Sequence, residues 1–176
     1  MFFRELETDR LRLKNISSED VDFIFAQFSN DEVNRYLFDA EPVIEVRGAD
    51  EIIADYTQPE PRGWHRWILV RKSDGAKLGT CGFHKWDKAI GHCDVGYDLY
   101  PDFWGKGYMS EAMQAILVFA KSEMRVKYVN AGIYPENHRS IQLAEKLGFV
   151  FNGKMADEVF RGQIYSHKIL TLDCTI

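Results

Sequence analysis

The stretch from Val95 to Ala112 limits most strongly what this chain can fold into, because it predicts a strand, a turn and a helix start in immediate succession. Apolar side chains alternate with small or acidic ones over residues 95–99, which is the period-two pattern of a β-strand. Pro101 ends that strand, and the segment 104–107, Trp-Gly-Lys-Gly, follows it. Beyond the second glycine, apolar residues recur at the spacing of a helix: Met109, Ala112, Met113, Ile116, Leu117 and Ala120.

The glycine pair, Gly105 and Gly107, lies where this helix is predicted to begin. The first N–H groups of a helix have no partners within the helix, and the positive end of the helix dipole lies there. Glycine has no side chain to keep a ligand away from these N–H groups, and Lys106 adds a positive charge. The pattern therefore favours a phosphate or diphosphate site, although an ordinary glycine turn has the same short sequence.

Three kinds of phosphate site share such a pattern. A P-loop needs a glycine five residues before Gly105 and a Ser or Thr after Lys106, and the chain has neither. A dinucleotide-binding fingerprint would place Ser110 at its last glycine position. It would also need an acidic residue about 20 residues further on, where the predicted strand 128–133 has none. The third kind is a site for coenzyme A, which also carries a diphosphate.

Four stretches of the chain, taken in order, carry a resemblance to one enzyme family. Residues 6–13, 17–20, 104–112 and 135–149 match an N-terminal strand, the start of a first helix, an acetyl-coenzyme A motif and a second cofactor helix. The family is the GNAT N-acetyltransferases. The chain resembles most closely the RimJ/RimL-like branch, which acetylates the N-termini of ribosomal proteins and related amines.

The resemblance implies an α/β fold with a mixed, mostly antiparallel central sheet of about seven strands flanked by helices, in a single domain over residues 1–176. The hydrophobic periodicity agrees with this order. Helices are predicted after the cap residues Ser17 or Ser18 and over 31–37, 46–56, 107–123 and 137–147. Strands are predicted over 10–15, 64–71, 77–86, up to Leu99, and over 128–133, 149–159 and 163–172.

The same resemblance implies acetyl-coenzyme A as the co-substrate. The backbone of Leu99 would pair with the amides of the pantetheine arm, and Asn137 would hydrogen-bond that arm. The diphosphate would lie on the loop and first helical turn that contain Trp104, Gly105, Lys106, Gly107, Tyr108, Met109 and Ser110. The chain departs from the general family motif at two of these positions, because Trp104 replaces Gln or Arg and Met109 replaces Gly or Ala.

Acetyl transfer from a thioester to an amine needs a neutral amine, a stabilised oxyanion and a proton for the leaving thiolate. The resemblance implies that Ser140 supplies this proton. A tyrosine does so in other GNAT branches, but the matching helix of this chain offers no tyrosine near Ser140. Asn137 and Ser140 are also the residues expected of simple helix capping.

The general base is predicted from the region before the last strand. RimL-like proteins have a glutamate between their last two strands, where this chain has Asp157 and Glu158. The predicted turn at Arg161 and Gly162 makes the loop between these strands one residue shorter than in RimL-like proteins. The family glutamate can therefore be aligned with either Glu158 or its neighbour. We take Glu158 as the base, with His84 as a second candidate and a water relay as the alternative.

Composition limits the classes of partner. The net charge of −5 argues against a nucleic-acid partner. Cys81, Cys93 and Cys174 have no metal-ligand spacing, so no metal is expected. No apolar run approaches the roughly 18 residues that span a bilayer, and the acidic start of the chain lacks the features of a signal peptide. We therefore expect a cytoplasmic protein without a membrane partner.

The leading hypothesis is an N-acetyltransferase that moves an acetyl group from acetyl-coenzyme A to a primary amine by direct attack in a ternary complex. The acceptor would be a protein N-terminal α-amine or a small-molecule amine. A non-catalytic coenzyme A-binding sensor or interaction module on the same fold is the alternative, and a nucleotide-dependent enzyme is a second one. The identity of the acceptor and the choice between monomer and homodimer stay open.

Overall fold

The structure is a computed structural model that describes residues 2–175. Within that range the chain forms eight strands and five α-helices. The strands are β1 (Leu6–Glu7), β2 (Leu11–Asn15), β3 (His65–Arg71), β4 (Lys77–Asp87), β5 (His92–Leu99), β6 (Tyr128–Ile133), β7 (Val150–Phe160) and β8 (Gln163–Asp173). The helices are α1 (Val21–Ser29), α2 (Asp31–Asn34), α3 (Val46–Tyr56), α4 (Tyr108–Ser122) and α5 (His138–Lys146). No helix in the described range is long and apolar enough to cross a bilayer.

The strands form one open sheet in the order β1-β2-β3-β4-β5-β6-β8-β7. Among the pairs formed by residues 2–175, β5–β6 is parallel and the others are antiparallel. The predicted mixed sheet flanked by helices is therefore confirmed. The predicted count of about seven strands missed β1, in which Leu6 pairs with Leu13 and Glu7 with Arg12. A strand of two residues is too short to show a period of two.

The predicted helices are found close to their expected bounds, with one clear exception. The helix expected over 31–37 ends at Asn34. The side-chain amide of Asn34 donates to the carbonyl of Asn30 at 2.9 Å and to that of Phe28 at 2.7 Å. Asparagine side chains compete in this way with the backbone bonds that would extend a helix. The chain therefore leaves the helix early.

The sheet is covered on both faces because β3 is apolar on both. Trp67 and Leu69 belong to a buried cluster that includes the apolar side of α4. Ile68 and Val70 point to the opposite face and pack in a second buried cluster with α1 and α3. This alternation is the period-two geometry of a strand buried on both sides.

The sheet opens between β5 and β6, and this opening positions the site. The two strands pair only over His92–Asp94 and Tyr128–Asn130. Beyond that point β5 pairs with β4 alone, and β6 pairs with β8 alone. Each strand therefore presents unpaired backbone groups to the slot between them, and such groups need partners.

Asp20 joins the start of α1 to the sheet. Its carboxylate accepts hydrogen bonds from Lys14 Nζ at 2.6 Å, Lys77 Nζ at 2.7 Å and the Ser17 N–H at 2.8 Å. Burial alone would raise the pKa of Asp20, but the bonds from Lys14 and Lys77 outweigh burial and lower the pKa to about 2. Because the pKa lies below the ordinary value of 3.8, the ionised carboxylate stabilises the folded chain at neutral pH.

We expect Asp20→Asn to lower the free energy of unfolding by about 2 kcal/mol at neutral pH, since two ammonium groups lose their charged partner. The difference from the unmodified protein should shrink as pH falls through the range between 3.8 and about 2. Urea titrations at several pH values measure both effects. Asp22→Asn, an exposed site in the first turn of α1, is the matched control. Equal stability of Asp20→Asn and the control variant would contradict the assignment.

Candidate active site

The end of β5 presents its backbone to the slot in the sheet. The Tyr100 N–H donates to the Leu78 carbonyl of the neighbouring strand at 2.9 Å. Alternate residues of a strand point their backbone groups to opposite sides, so the N–H and C=O of Leu99 face the slot. The Leu99 carbonyl accepts a hydrogen bond from Trp104 Nε1 at 2.8 Å. A carbonyl has two lone pairs, so Leu99 can still accept a second bond.

The glycine pair forms an open cradle at the start of α4. Gly105 and Gly107 have φ values of 72° and 79°, in the left-handed region that glycine tolerates best. A Cβ at Gly105 would meet no atom within 4 Å. No acceptor among residues 2–175 lies against the backbone N–H groups of residues 107–110, and the first bond of the helix runs from Glu111 to Gly107 at 3.0 Å. These four donors fit a diphosphate.

Cationic side chains hold the loop in this shape. Arg10 pairs with Glu111 at 2.6 Å and donates to the Lys106 carbonyl at 3.0 Å. The Lys106 ammonium turns back to the Asp102 carbonyl at 2.7 Å. The Arg10 guanidinium lies 4.4 Å from the centre of the Tyr108 ring. Glu111 offsets the charge of Arg10, so Lys106 is the cation that adds positive charge beside the cradle for an anionic ligand.

The side chains of the other predicted loop residues differ in what they face. The Trp104 indole lies under the Arg139 guanidinium, 4.2 Å from ring centre to cation, in addition to binding Leu99. The Met109 side chain is buried in the core beneath α4, whereas Ser110 is only partly buried. The family motif usually has glycine or alanine at the position of Met109. The larger Met109 side chain is accommodated because it points into the core and away from the cradle.

Two cavities meet beside helix α5. A groove of about 910 Å³ runs from the glycine cradle along the end of β5 to α5. A cleft of about 590 Å³ lies on the other side, between the segment after α2 and strands β5 to β8. Both cavities are lined by Tyr36, Leu37, Tyr97, Asp98, Asn137 and Ser140. A long ligand that starts at the cradle would therefore reach these residues, where a second molecule in the cleft could meet it.

Ser140 lies at the junction of the two cavities. Asn137 caps α5, and its side-chain oxygen accepts from the Ser140 N–H at 3.3 Å. The Ser140 hydroxyl lies 2.8 Å from the Tyr97 hydroxyl. Helix α5 itself contains no tyrosine, as expected, but β5 brings Tyr97 to Ser140 from 43 residues earlier in the chain. The alternation of Val95, Tyr97 and Leu99 already placed Tyr97 on one face of β5.

Glu158 lies within strand β7, opposite Tyr165, rather than in the turn that follows. The turn itself is at Arg161 and Gly162, as predicted. Glu158 lines the cleft, is partly exposed, and has no hydrogen bond or ion pair with any of residues 2–175. The neighbouring Asp157 is not part of the cleft wall, and it accepts a hydrogen bond from the Ser166 hydroxyl. Glu158 is thus the carboxylate of this pair that is available to a ligand.

His84, the second candidate base, also lines the cleft. Burial, together with the positive charges of Arg66 and Lys85, lowers the pKa of His84 to about 3. The imidazole is therefore neutral at cellular pH and a weak base. Beneath it, Arg66 Nη1 pairs with Asp98 at 2.5 Å, and Thr80 donates to the same carboxylate at 2.8 Å. The Asp98 carboxylate is thus neutralised by Arg66 and hydrogen-bonded by Thr80.

The outer wall of the cleft joins two distant segments. The Phe38 ring stacks on Tyr165 with centres 3.8 Å apart. Arg161 in the β7–β8 turn pairs with Glu41 at 2.6 Å. The stacked rings are the stronger link, because the Arg161–Glu41 pair is more than half exposed on both sides and such pairs contribute little.

Comparison with known proteins assigns the chain to a family. Residues 10–150 match the acetyltransferase (GNAT) domain, so the chain belongs to the GNAT acetyltransferases. The uncharacterized N-acetyltransferase YoaA of Bacillus subtilis (strain 168) is 32% identical over 161 residues, which are 90% of each protein. The chain is thus an acetyl-coenzyme A-dependent acetyltransferase, and the predicted family, enzyme class and co-substrate are confirmed.

Solved structures agree on the fold. A GNAT-family acetyltransferase from Bacillus anthracis superposes with a TM-score of 0.84 at 18% identity, covering 98% of this chain and 100% of that one. Spermidine N-acetyltransferase from Vibrio cholerae, solved with CoA and spermine, superposes with a TM-score of 0.83 at 16% identity, covering 96% and 98%. At such identities the likeness shows the shared fold and no more.

The cradle can be tested with two matched glycine variants. We expect Gly105→Ala to weaken coenzyme A binding about tenfold, or about 1.4 kcal/mol, because the methyl group would occupy open space beside the cradle that the ligand needs. Gly75→Ala is the control. Gly75 has a φ of 73°, against 72° for Gly105, and likewise has no atom within 4 Å of an added Cβ. Both variants should lose similar stability, about 1 kcal/mol. Titration calorimetry with coenzyme A would contradict the cradle if both variants bound equally well.

Proposed function

We propose that this protein transfers the acetyl group of acetyl-coenzyme A to a primary amine by direct attack in a ternary complex. The observation that carries the proposal is the meeting of the groove and the cleft at Ser140, with the unpaired Glu158 carboxylate in the cleft wall. Two substrates held in these cavities would have their reacting ends together. Such an arrangement needs no acetylated enzyme, because proximity replaces a covalent carrier.

The cysteines support direct attack. Cys81, Cys93 and Cys174 are buried, and none of them lines either cavity. Burial raises the pKa of the Cys93 thiol to about 12, and it raises the pKa of the other two thiols as well. A thiol that stays protonated is a poor nucleophile. None of the three thiols therefore offers a route through an acetylated cysteine, which supports attack by the amine itself.

Each predicted site residue then has a task in the proposed reaction. The N–H donors at Gly107, Tyr108, Met109 and Ser110 hold the diphosphate, with Gly105 keeping the approach open and Lys106 adding charge. The backbone of Leu99 and the side chain of Asn137 align the pantetheine arm, and Trp104 fixes the loop beside Leu99. When bound, acetyl-coenzyme A supplies the activated acetyl group.

Two side chains move protons in the proposal. Glu158 takes a proton from the attacking amine, since its carboxylate has no other partner among residues 2–175 and faces the cleft. Ser140 donates a proton to the leaving sulfur from the junction of the two cavities. General acid and base groups of this kind contribute about 10²–10⁴-fold each.

Two classes of acceptor are supported, one by the sequence motifs and the other by the fold. The four RimJ/RimL-like stretches support a protein N-terminal α-amine as the acceptor. The likeness to spermidine N-acetyltransferase supports a small-molecule polyamine as the other class. Glu41 and Lys154 line the cleft and are both exposed, so the cleft opens to solvent on their side.

A thiol-release assay with acetyl-coenzyme A tests the proposed function across short peptides that begin with Ser or Ala, polyamines and aminoglycosides. We expect turnover with one amine class well above the rate without acceptor, because the cleft should select a single kind of amine. Calorimetry with acetyl-coenzyme A is measured in parallel. Tight binding without turnover on any amine would favour the non-catalytic sensor instead.

The base can be tested with neighbouring carboxylates. We expect Glu158→Gln to lower kcat/KM for the acceptor about 10²-fold at neutral pH, because the amine loses its proton acceptor. The loss should shrink as pH rises, since a larger fraction of the amine is then already neutral. Asp157→Asn is the matched control and should stay within about twofold, since Asp157 lies outside the cleft wall. Full activity of Glu158→Gln at neutral pH would point to a water relay.

A further inference from the structure

Tyr97 and Ser140 bring two hydroxyl groups together at the junction of the groove and the cleft. Their oxygens are 2.8 Å apart, and the Tyr97 hydroxyl also lies 3.3 Å from the Ser140 backbone carbonyl. A carbonyl can only accept, so the second contact places the hydrogen of Tyr97 on the side of Ser140. In the shorter contact either hydroxyl can be the donor, and Tyr97 donates in both contacts when it shares its one hydrogen between the carbonyl and the hydroxyl oxygen of Ser140.

The chemistry of the two groups supports the same direction. A phenol is more acidic than an aliphatic hydroxyl and is therefore the better donor of the pair. Burial raises the pKa of Tyr97 to about 12, which the hydrogen bond with Ser140 only partly offsets. The phenol thus keeps its proton throughout the pH range in which the enzyme would work. The hydrogen of Ser140 is left free to point elsewhere.

We propose that Tyr97 is a positioning residue that fixes the Ser140 hydroxyl with its proton directed at the leaving sulfur. This inference rests on the proposed function and extends it to a residue outside the predicted site. As the thioester C–S bond breaks and the C–N bond forms, the sulfur keeps the electron pair and takes the Ser140 proton. The Tyr97 O–H stabilises the negative charge that develops on the Ser140 oxygen, and the proton that Glu158 took from the amine returns to Ser140 through water.

The alternative arrangement shows why the hydroxyl of Tyr97 matters. Serine hydroxyls inside helices commonly donate to a backbone carbonyl one turn earlier. Without Tyr97 as a donor, the Ser140 hydroxyl can rotate to such a carbonyl, and its proton then no longer points at the junction. The ring of Tyr97 packs against the core cluster on the α4 face of the sheet. A phenylalanine keeps that packing and removes only the hydroxyl.

The test is a double-mutant cycle on Tyr97→Phe and Ser140→Ala. It uses the acceptor amine that gives turnover in the thiol-release assay described above. We expect Tyr97→Phe to lower kcat about tenfold at saturating acetyl-coenzyme A, which is the effect of one lost hydrogen bond. Ser140→Ala should lower kcat about 10²-fold. The double variant should match Ser140→Ala, because Tyr97 acts through Ser140. The Kd for acetyl-coenzyme A should be unchanged in all three variants, because neither hydroxyl belongs to the cradle.

Tyr100→Phe is the matched control. Tyr100 directly follows β5, packs against Phe23, and has no contact with Ser140 in the described structure. It should keep the kcat of the unmodified enzyme. Thermal melting of every variant checks that the fold is retained.

Three outcomes would overturn the inference. They are an unchanged kcat in Tyr97→Phe, a tenfold loss that persists in the Ser140→Ala background, and a weakened Kd for acetyl-coenzyme A that accounts for the whole effect. Failure of the proposed function looks different. In that case Ser140→Ala keeps full kcat, or no amine is acetylated at all.

Discussion

The separation of β5 from β6 is the constraint on which the site depends. Two parallel strands that paired along their full length would satisfy each other's backbone groups and close the sheet. Here pairing stops after Asp94 and Asn130, and the remaining backbone of β5 faces a slot. An extended ligand can use those groups as a neighbouring strand would. The groove, the cleft and their junction all follow from this early divergence.

Strand β5 also divides the chemistry between the two faces of the sheet. Tyr97 points toward α5 and meets Ser140, whereas Asp98 points toward α1 and α3 and pairs with Arg66. Gln27 Nε2 on α1 donates to the same carboxylate at 2.5 Å. The buried Arg66–Asp98 ion pair on one face therefore anchors the strand at the residue after Tyr97, whose hydroxyl lies on the other face. Any shift in the register of β5 by one residue would exchange these roles.

Much of this arrangement could be predicted from the sequence, because its signals are local. The glycine pair at the start of α4, the turn at Arg161 and Gly162, and the capping by Asn137 each depend on a few adjacent residues. The contact of Tyr97 with Ser140 could not, because it joins a strand to a helix 43 residues later. The choice between Asp157 and Glu158 likewise depended on the pairing of β7 with β8, which periodicity alone did not define.

The stacking of Phe38 on Tyr165 joins the segment after α2 and the β7–β8 hairpin into one structural unit. The ion pair of Arg161 with Glu41 also joins these two segments, across 120 residues of sequence. Together the two segments set the width of the cleft. A substitution in either segment changes the fit of both. Under the proposed function, a change in the size of the acceptor would therefore involve both segments, and relatives that differ in one segment should differ in the other.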